Sequence, residues 1–117
     1  MIIIKKAEDI SEQKFENRIE AFSLCDDEKP VMYCIYKTEG EKFEIYDIKG
    51  DISDAVLIDA LVRAVASYCE GRGADTAVCR NKDIFGLLSP LGFKADKFGN
   101  LTAKTVFLLR HMCCGGK

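Results

Sequence analysis

A chain of 117 residues, 48% hydrophobic and 31% charged, suits one domain around one core and is long enough to need no disulfide or metal staple. The formal net charge is -2, with Lys and Glu interspersed; this leaves no concentrated basic face for nucleic acid, and no apolar run approaches the roughly 20 residues that cross a bilayer. The opening MIIIKK is too short for a signal-peptide core, so the expected compartment is the cytoplasm, with neither nucleic acid nor membrane as a partner.

The elements follow in chain order. IIIKK reads as a first strand. In DISEQKFENRIEAFSL, Asp9 and Glu12 stand at capping-box spacing and Phe15, Ile19 and Phe22 fall on one helical stripe, which predicts an amphipathic helix. DDEKP interrupts it. VMYCIYK is rich in β-branched and aromatic residues and predicts a strand; TEGE is a turn, and KFEIYDIKG is the next strand. So short a connection predicts an antiparallel hairpin.

A long helix follows from Asp54 to Cys69, where Asp59, Arg63 and Ser67 recur at every fourth position and Val56, Leu57, Leu61, Ala64, Val65 and Tyr68 form a wide apolar face. Gly71 and Gly73 stop it. DTAVCR predicts a buried strand, and NKDIFGLLSPLGF a second helix, capped by Asn81 and closed by Pro90 and Gly92. KADKFGNLTAKTVFLLRHM reads as two strands about a Gly-Asn turn. The order β α β β α β α β β implies an α/β (α+β) fold, a mixed sheet with helices on its faces. The expected division is one domain over 1–112 and a flexible tail over 113–117.

Of the six cysteines, Cys25, Cys34, Cys69 and Cys79 lie in or beside apolar segments and are expected as reduced core residues. Cys113 and Cys114 follow closely on His111, the single histidine. That trio has soft ligands for zinc or copper(I), but three ligands so close in sequence seldom complete a tetrahedral site. No metal is expected.

The segment NKDIFGLLSPLGF resembles a pattern of the GCN5-related N-acetyltransferase (GNAT) superfamily, with Asn81, Ile84, Leu87, Gly92 and Phe93 on its spacings. LVRAVASYCEGRGADTAVCRN is similar to that superfamily's central helix, glycine-bounded turn and following strand. The likeness is strongest from Phe43 to Phe93. It implies a GNAT-like mixed sheet and acetyl-CoA or CoA wedged between two splayed parallel strands, here KFEIYDI and DTAVCR. It also implies a pyrophosphate on the backbone amides of a turn written R-G-x-G-x-G or R-G-x-G-x-A.

That turn falls on Ser53 to Ile58, which reads Ser-Asp-Ala-Val-Leu-Ile, with none of the glycines and no arginine. Val56 and Ile58 place branched side chains where the backbone should approach a ligand. Asp54 adds a carboxylate, and like charges about 5 Å apart repel by roughly 1 kcal/mol even in bulk water. The plain account is that Asp51 or Ser53 caps the helix and Asp54 complements its positive end.

The resemblance also implies a tyrosine seven residues after Asn81, to protonate the departing thiolate; the chain has Leu88, which has no proton to give. Cys79 is a neighbouring thiol, expected in the core. Glu44 and Asp47 are the candidate general bases on the cleft strand, expected on opposite faces because strand side chains alternate, so that one at most can serve. Cofactor contacts are expected at the Ile48 backbone N–H, at Ala55 and Val56, and at Asn81.

Only one helix fits between the first two strands where such proteins usually carry two, which suits an open site for a small-molecule or peptide amine. The expected activity is acetyl-CoA-dependent N-acyl transfer, weak or lost through the altered turn. The alternatives are a non-catalytic interaction module on the same scaffold and a thiol or metal role for the C-terminal cysteine pair. The oligomeric state stays open, with a homodimer as one candidate.

Overall fold

The computed structural model describes residues 2–7, 19–50 and 53–114, without the side chains of residue 7 and of 110–114. Seven strands form one sheet: β1 (Ile2–Ala7), β2 (Ile19–Asp26), β3 (Lys29–Glu39), β4 (Lys42–Gly50), β5 (Thr76–Cys79), β6 (Lys94–Ala95) and β7 (Leu101–Lys104). Their order is β1-β2-β3-β4-β5-β7-β6. Neighbours are antiparallel except β4 and β5, which run parallel. The long helix α1 (Ala55–Gly71) makes the parallel crossover. A short α2 (Phe85–Leu88) is flanked by single 3-10 turns, and α3 (Thr105–Cys114) packs against α1. No helix among the described residues is long and apolar enough to cross a membrane.

The hairpin of β3 and β4, the long helix and the strand after it fall where the sequence places them. On α1 the buried stripe is Ile58, Leu61, Val62, Val65, Ala66 and Cys69, the i, i+3, i+4 spacing of a helix laid on a sheet. Its last turn closes with Gly73 N–H donating to Glu70 O and Ala74 N–H donating to Cys69 O, both at 3.0 Å. That double closure needs a left-handed residue, and Gly73 supplies it at φ +99°.

Two predicted elements are overturned. Residues 19–24, read as the end of a helix, belong to strand β2. There Phe22 and Leu24 join the core on the α1 side, while Ala21, Ser23 and Cys25 are buried as well. A strand covered on both faces has no period-2 signature, so the chance spacing of Phe15, Ile19 and Phe22 imitated a helix; the rest of that helix, 9–18, lies outside the described residues.

The second is TVFLLRHM, read as a strand, which forms α3. Thr105 and Leu108 are buried three apart while Val106 and Phe107 stay half exposed, and the Thr105 N–H and hydroxyl donate to Asp75 O at 3.0 Å and Ala74 O at 3.3 Å. Those anchors start the helix in a β-branched, aromatic run whose local preference is for a strand. The helix runs through Cys113 and Cys114, and 115–117 lie outside the described residues.

Cys25, Cys34, Cys69 and Cys79 are all buried free thiols, as expected. Burial pushes the Cys34 and Cys79 thiols up, Cys69 up to about 11, and the Tyr36 phenol up as well. These groups stay protonated in the fold at a pH where the unfolded chain has lost its protons, so stability falls as pH rises past about 8.5. The lowered Tyr68 phenol, held down mainly by the hydrogen bond from Lys6, acts in the opposite sense. The urea midpoint should therefore drop between pH 8.5 and 10.5, by about 1.4 kcal/mol per pH unit for each group fully held, and Cys69→Ala should flatten the drop. A level profile would contradict this account.

Gly50 ends β4 at φ +108°, and a Cβ there would lie 2.3 Å from the Val31 carbonyl oxygen. Gly50→Ala should destabilise the protein by about 1–3 kcal/mol, read as a lower urea midpoint at unchanged slope; an unchanged midpoint would mean that the backbone yields.

Candidate functional site

The site begins where β4 and β5 part. Their paired positions run from Lys42 and Thr76 to Ile45 and Cys79, where β5 ends, whereas β4 continues to Gly50. Past Ile45, the Tyr46 carbonyl accepts a hydrogen bond from Asn81 Nδ2 at 2.9 Å, and Asn81 Oδ1 accepts from the Asp83 N–H at 3.0 Å. One amide side chain thus stands in for the next rung of the ladder and caps the turn that carries the chain away. The result is a wedge between the strands.

Tyr46 is also the extra residue of a bulge: Ile35 faces Asp47 and Tyr36 faces Ile45, which leaves Tyr46 unpaired. The bulge shifts the alternation by one. Phe43, Ile45 and Ile48 all point into the core on the α1 side, so Glu44 and Asp47 share the other face. The expectation that they lie on opposite faces fails because strict alternation ends at Tyr46. Glu44 is paired with Arg80 at 2.9 Å.

Two backbone donors expected to hold a ligand, at Ile48 and Val56, are taken by the chain's own carboxylates, as is the neighbouring one of Leu57. The Ile48 N–H donates to Asp47 Oδ1 at 2.8 Å. Asp54 is the N-cap of α1, its Oδ1 accepting from the Val56 N–H at 2.9 Å and the Leu57 N–H at 3.3 Å. The capping assigned to Asp51 or Ser53 is therefore done by Asp54 itself: its side chain reaches the second and third amides of the helix, and its own carbonyl accepts from Ile58 N–H at 3.1 Å. Asp51 lies outside the described residues. Ala55 is exposed at the first helical position, and Val56, counted on the apolar face, is 74% exposed.

Leu88 is fully buried in the core, and Cys79, also buried, donates weakly to the Asn81 carbonyl at 3.7 Å. Burial raises the Cys79 thiol, the wrong direction for a nucleophile at neutral pH. Tyr46, Arg80 and the capping role of Asp54 were not singled out from the sequence. The bulge had left a trace there, in the spacing of Phe43, Ile45 and Ile48, two and then three apart.

The acceptor side between β1 and β2 falls on 8–18, outside the described residues, as do the side chains of His111, Cys113 and Cys114. Among the described residues no group of three or more His, Cys, Asp or Glu is placed to hold a metal ion.

No protein-family model matches the sequence, and no curated protein matches it. Solved structures do. The ribosomal-protein-S18-alanine N-acetyltransferase of Escherichia coli superposes with a TM-score of 0.64 at 18% identity, over 89% of this chain and 90% of that one. An N-acetyltransferase from Staphylococcus aureus Mu50 gives 0.66 at 13% identity, over 91% and 99%. The PaiA N-acetyltransferase of Thermoplasma acidophilum, solved in complex with coenzyme A, gives 0.59 at 13% identity, over 73% and 58%. With one parallel pair parting after four residues in an otherwise antiparallel sheet, and with these superpositions, the chain has the fold of the GCN5-related N-acetyltransferases.

Proposed function

We propose that this is a GNAT-fold protein in which acyl-CoA-dependent N-acyl transfer is weak or lost. The observation that carries the reading is the Asp54 carboxylate on the Val56 and Leu57 amides. Those amides open the helix that, in this architecture, would meet the cofactor's pyrophosphate. A carboxylate already satisfies them, and its charge repels a second anion by roughly 1 kcal/mol at about 5 Å even in bulk water. The helix dipole, of similar size, offsets one negative charge and not several.

The residues present therefore do not fit the pyrophosphate. The open edge of β4 beyond Ile45 is compatible with a narrow amide-bearing arm lying in the wedge as an added strand would, but there the Ile48 N–H is held by Asp47. Glu44 and Asp47 are candidate bases on one face, of which Glu44 is tied to Arg80. An amine, small or on a peptide, is the acceptor such a site would serve.

Acetyl-CoA titrated into the protein and followed by NMR should give a dissociation constant in the millimolar range or weaker. Asp54→Gly removes the charge and frees both amides at a cost of only a few tenths of a kcal/mol, since glycine is a tolerated N-cap. It should tighten binding about fivefold, the equivalent of roughly 1 kcal/mol. Micromolar binding by the unaltered chain, or no gain in the variant, would overturn the reading.

Leu88, buried where a proton donor for the thiolate would stand, favours a second reading, a non-catalytic interaction module on the same scaffold. Turnover of acetyl-CoA with any member of an amine panel would eliminate it.

A further inference from the structure

At the opposite end of α1, about 20 Å along the axis from Asp54, Tyr68 and Arg72 stand four residues apart over the edge of the sheet. Lys6 of β1, Glu20 of β2 and Tyr36 of β3 meet them there. Glu20 accepts from the Tyr36 hydroxyl on Oε1 at 3.0 Å and from Lys6 Nζ on Oε2 at 3.0 Å. The Tyr68 oxygen accepts from Lys6 Nζ at 2.8 Å and from an Arg72 terminal nitrogen at 2.8 Å. Both cations also lie over the Tyr68 ring, 4.8 Å and 5.5 Å from its centre.

A phenol has two lone pairs and one proton. Here two cationic donors fill the lone pairs, and Tyr68 holds Lys6 and Arg72 side by side. The hydrogen bond from Lys6 is the main cause that lowers the Tyr68 phenol. The Arg72 guanidinium carries five N–H groups and, among the described residues, makes one hydrogen bond, to Tyr68; its ion pair with Glu20 is long, at 3.8 Å. Lys6 and Arg72 against Glu20 leave one positive charge over.

Beside the cluster lies a cavity of about 340 Å³ walled by Glu20, Thr38, Gly40 and Arg72. Among the described residues, the Thr38 hydroxyl has only the Cys69 sulfur, at 3.8 Å, as a partner. Gly40 lines it with nothing among the described residues within 4 Å of where its side chain would begin.

We propose that this cavity binds a small monocarboxylate, its oxygens held by the N–H groups of Arg72 that are not turned to Tyr68 and by the Thr38 hydroxyl. Both Glu20 oxygens are already hydrogen-bonded, which leaves that carboxylate little to offer an incoming cation. A single surplus positive charge matches a monoanion; a phosphate dianion would leave uncompensated negative charge against Glu20. The cavity volume is at the small end for ligand sites and suits a short acid. The proposal is independent of acyl-CoA binding at the wedge.

The test is a titration of 15N-labelled protein with sodium acetate and, separately, sodium phosphate at pH 7 and fixed ionic strength. Acetate should give saturable shifts at the Thr38 and Gly40 amides and at Arg72 Nε, with a millimolar dissociation constant. Arg72→Gln should weaken it at least fivefold, and Thr38→Val at least twofold. Shifts that grow linearly without saturation, equal binding by Arg72→Gln, or phosphate binding as tight as acetate would each overturn the assignment.

Discussion

The parallel contact between β4 and β5 lasts four residues, and most of what is distinctive here depends on how it ends. A parallel ladder left to itself would continue while both strands supplied backbone partners. It stops because β5 turns away at Cys79 and the Asn81 side chain takes the Tyr46 carbonyl. The same Tyr46 is the residue that β3 leaves unpaired. One position thus opens the sheet on one edge and rotates the rest of β4 on the other, bringing Ile48 into the core and Asp47 onto the face that Glu44 occupies.

The opened edge and the adjoining helix start would present unpaired amides to any ligand. In this chain Asp47 and Asp54 each answer such donors from within one to three residues along the chain. Short-range acceptors of this kind cost little order, since the carboxylate is tethered beside its donor, and they make the ligand-free state self-sufficient. An incoming anion must displace an anion already in place. The fold and its resident carboxylates therefore pull in different directions.

Helix α1 joins two polar regions with opposite character. Its first turn is closed by a carboxylate on backbone amides; its last turn holds Tyr68 and Arg72 over Lys6 and Glu20, a cluster with surplus positive charge. Between them the stripe from Ile58 to Cys69 is packed on the sheet. Each fully buried Val, Leu or Ile of that stripe contributes about 2 kcal/mol, which holds both ends in fixed relation to the strands.

Local pattern determined much of this protein. The hairpin of β3 and β4, the extent of α1, its glycine-bounded end, the β5 strand and the Asn81 cap are each written in neighbouring residues whose spacing matches one backbone period, and the reduced, buried state of four cysteines follows from their apolar surroundings. Tertiary structure decided the remainder, because there local preference was balanced or misleading. Residues 19–24 became a strand since both faces found cover; TVFLLRHM became a helix since Thr105 is anchored to Ala74 and Asp75 across the sheet. Whether Glu44 and Asp47 meet hung on one bulged residue, and the Lys6, Glu20, Tyr36, Tyr68 and Arg72 cluster gathers side chains from four separate elements. No window of sequence contains such distant partners, since it is the packing of α1 across β1, β2 and β3 that brings them within hydrogen-bonding reach.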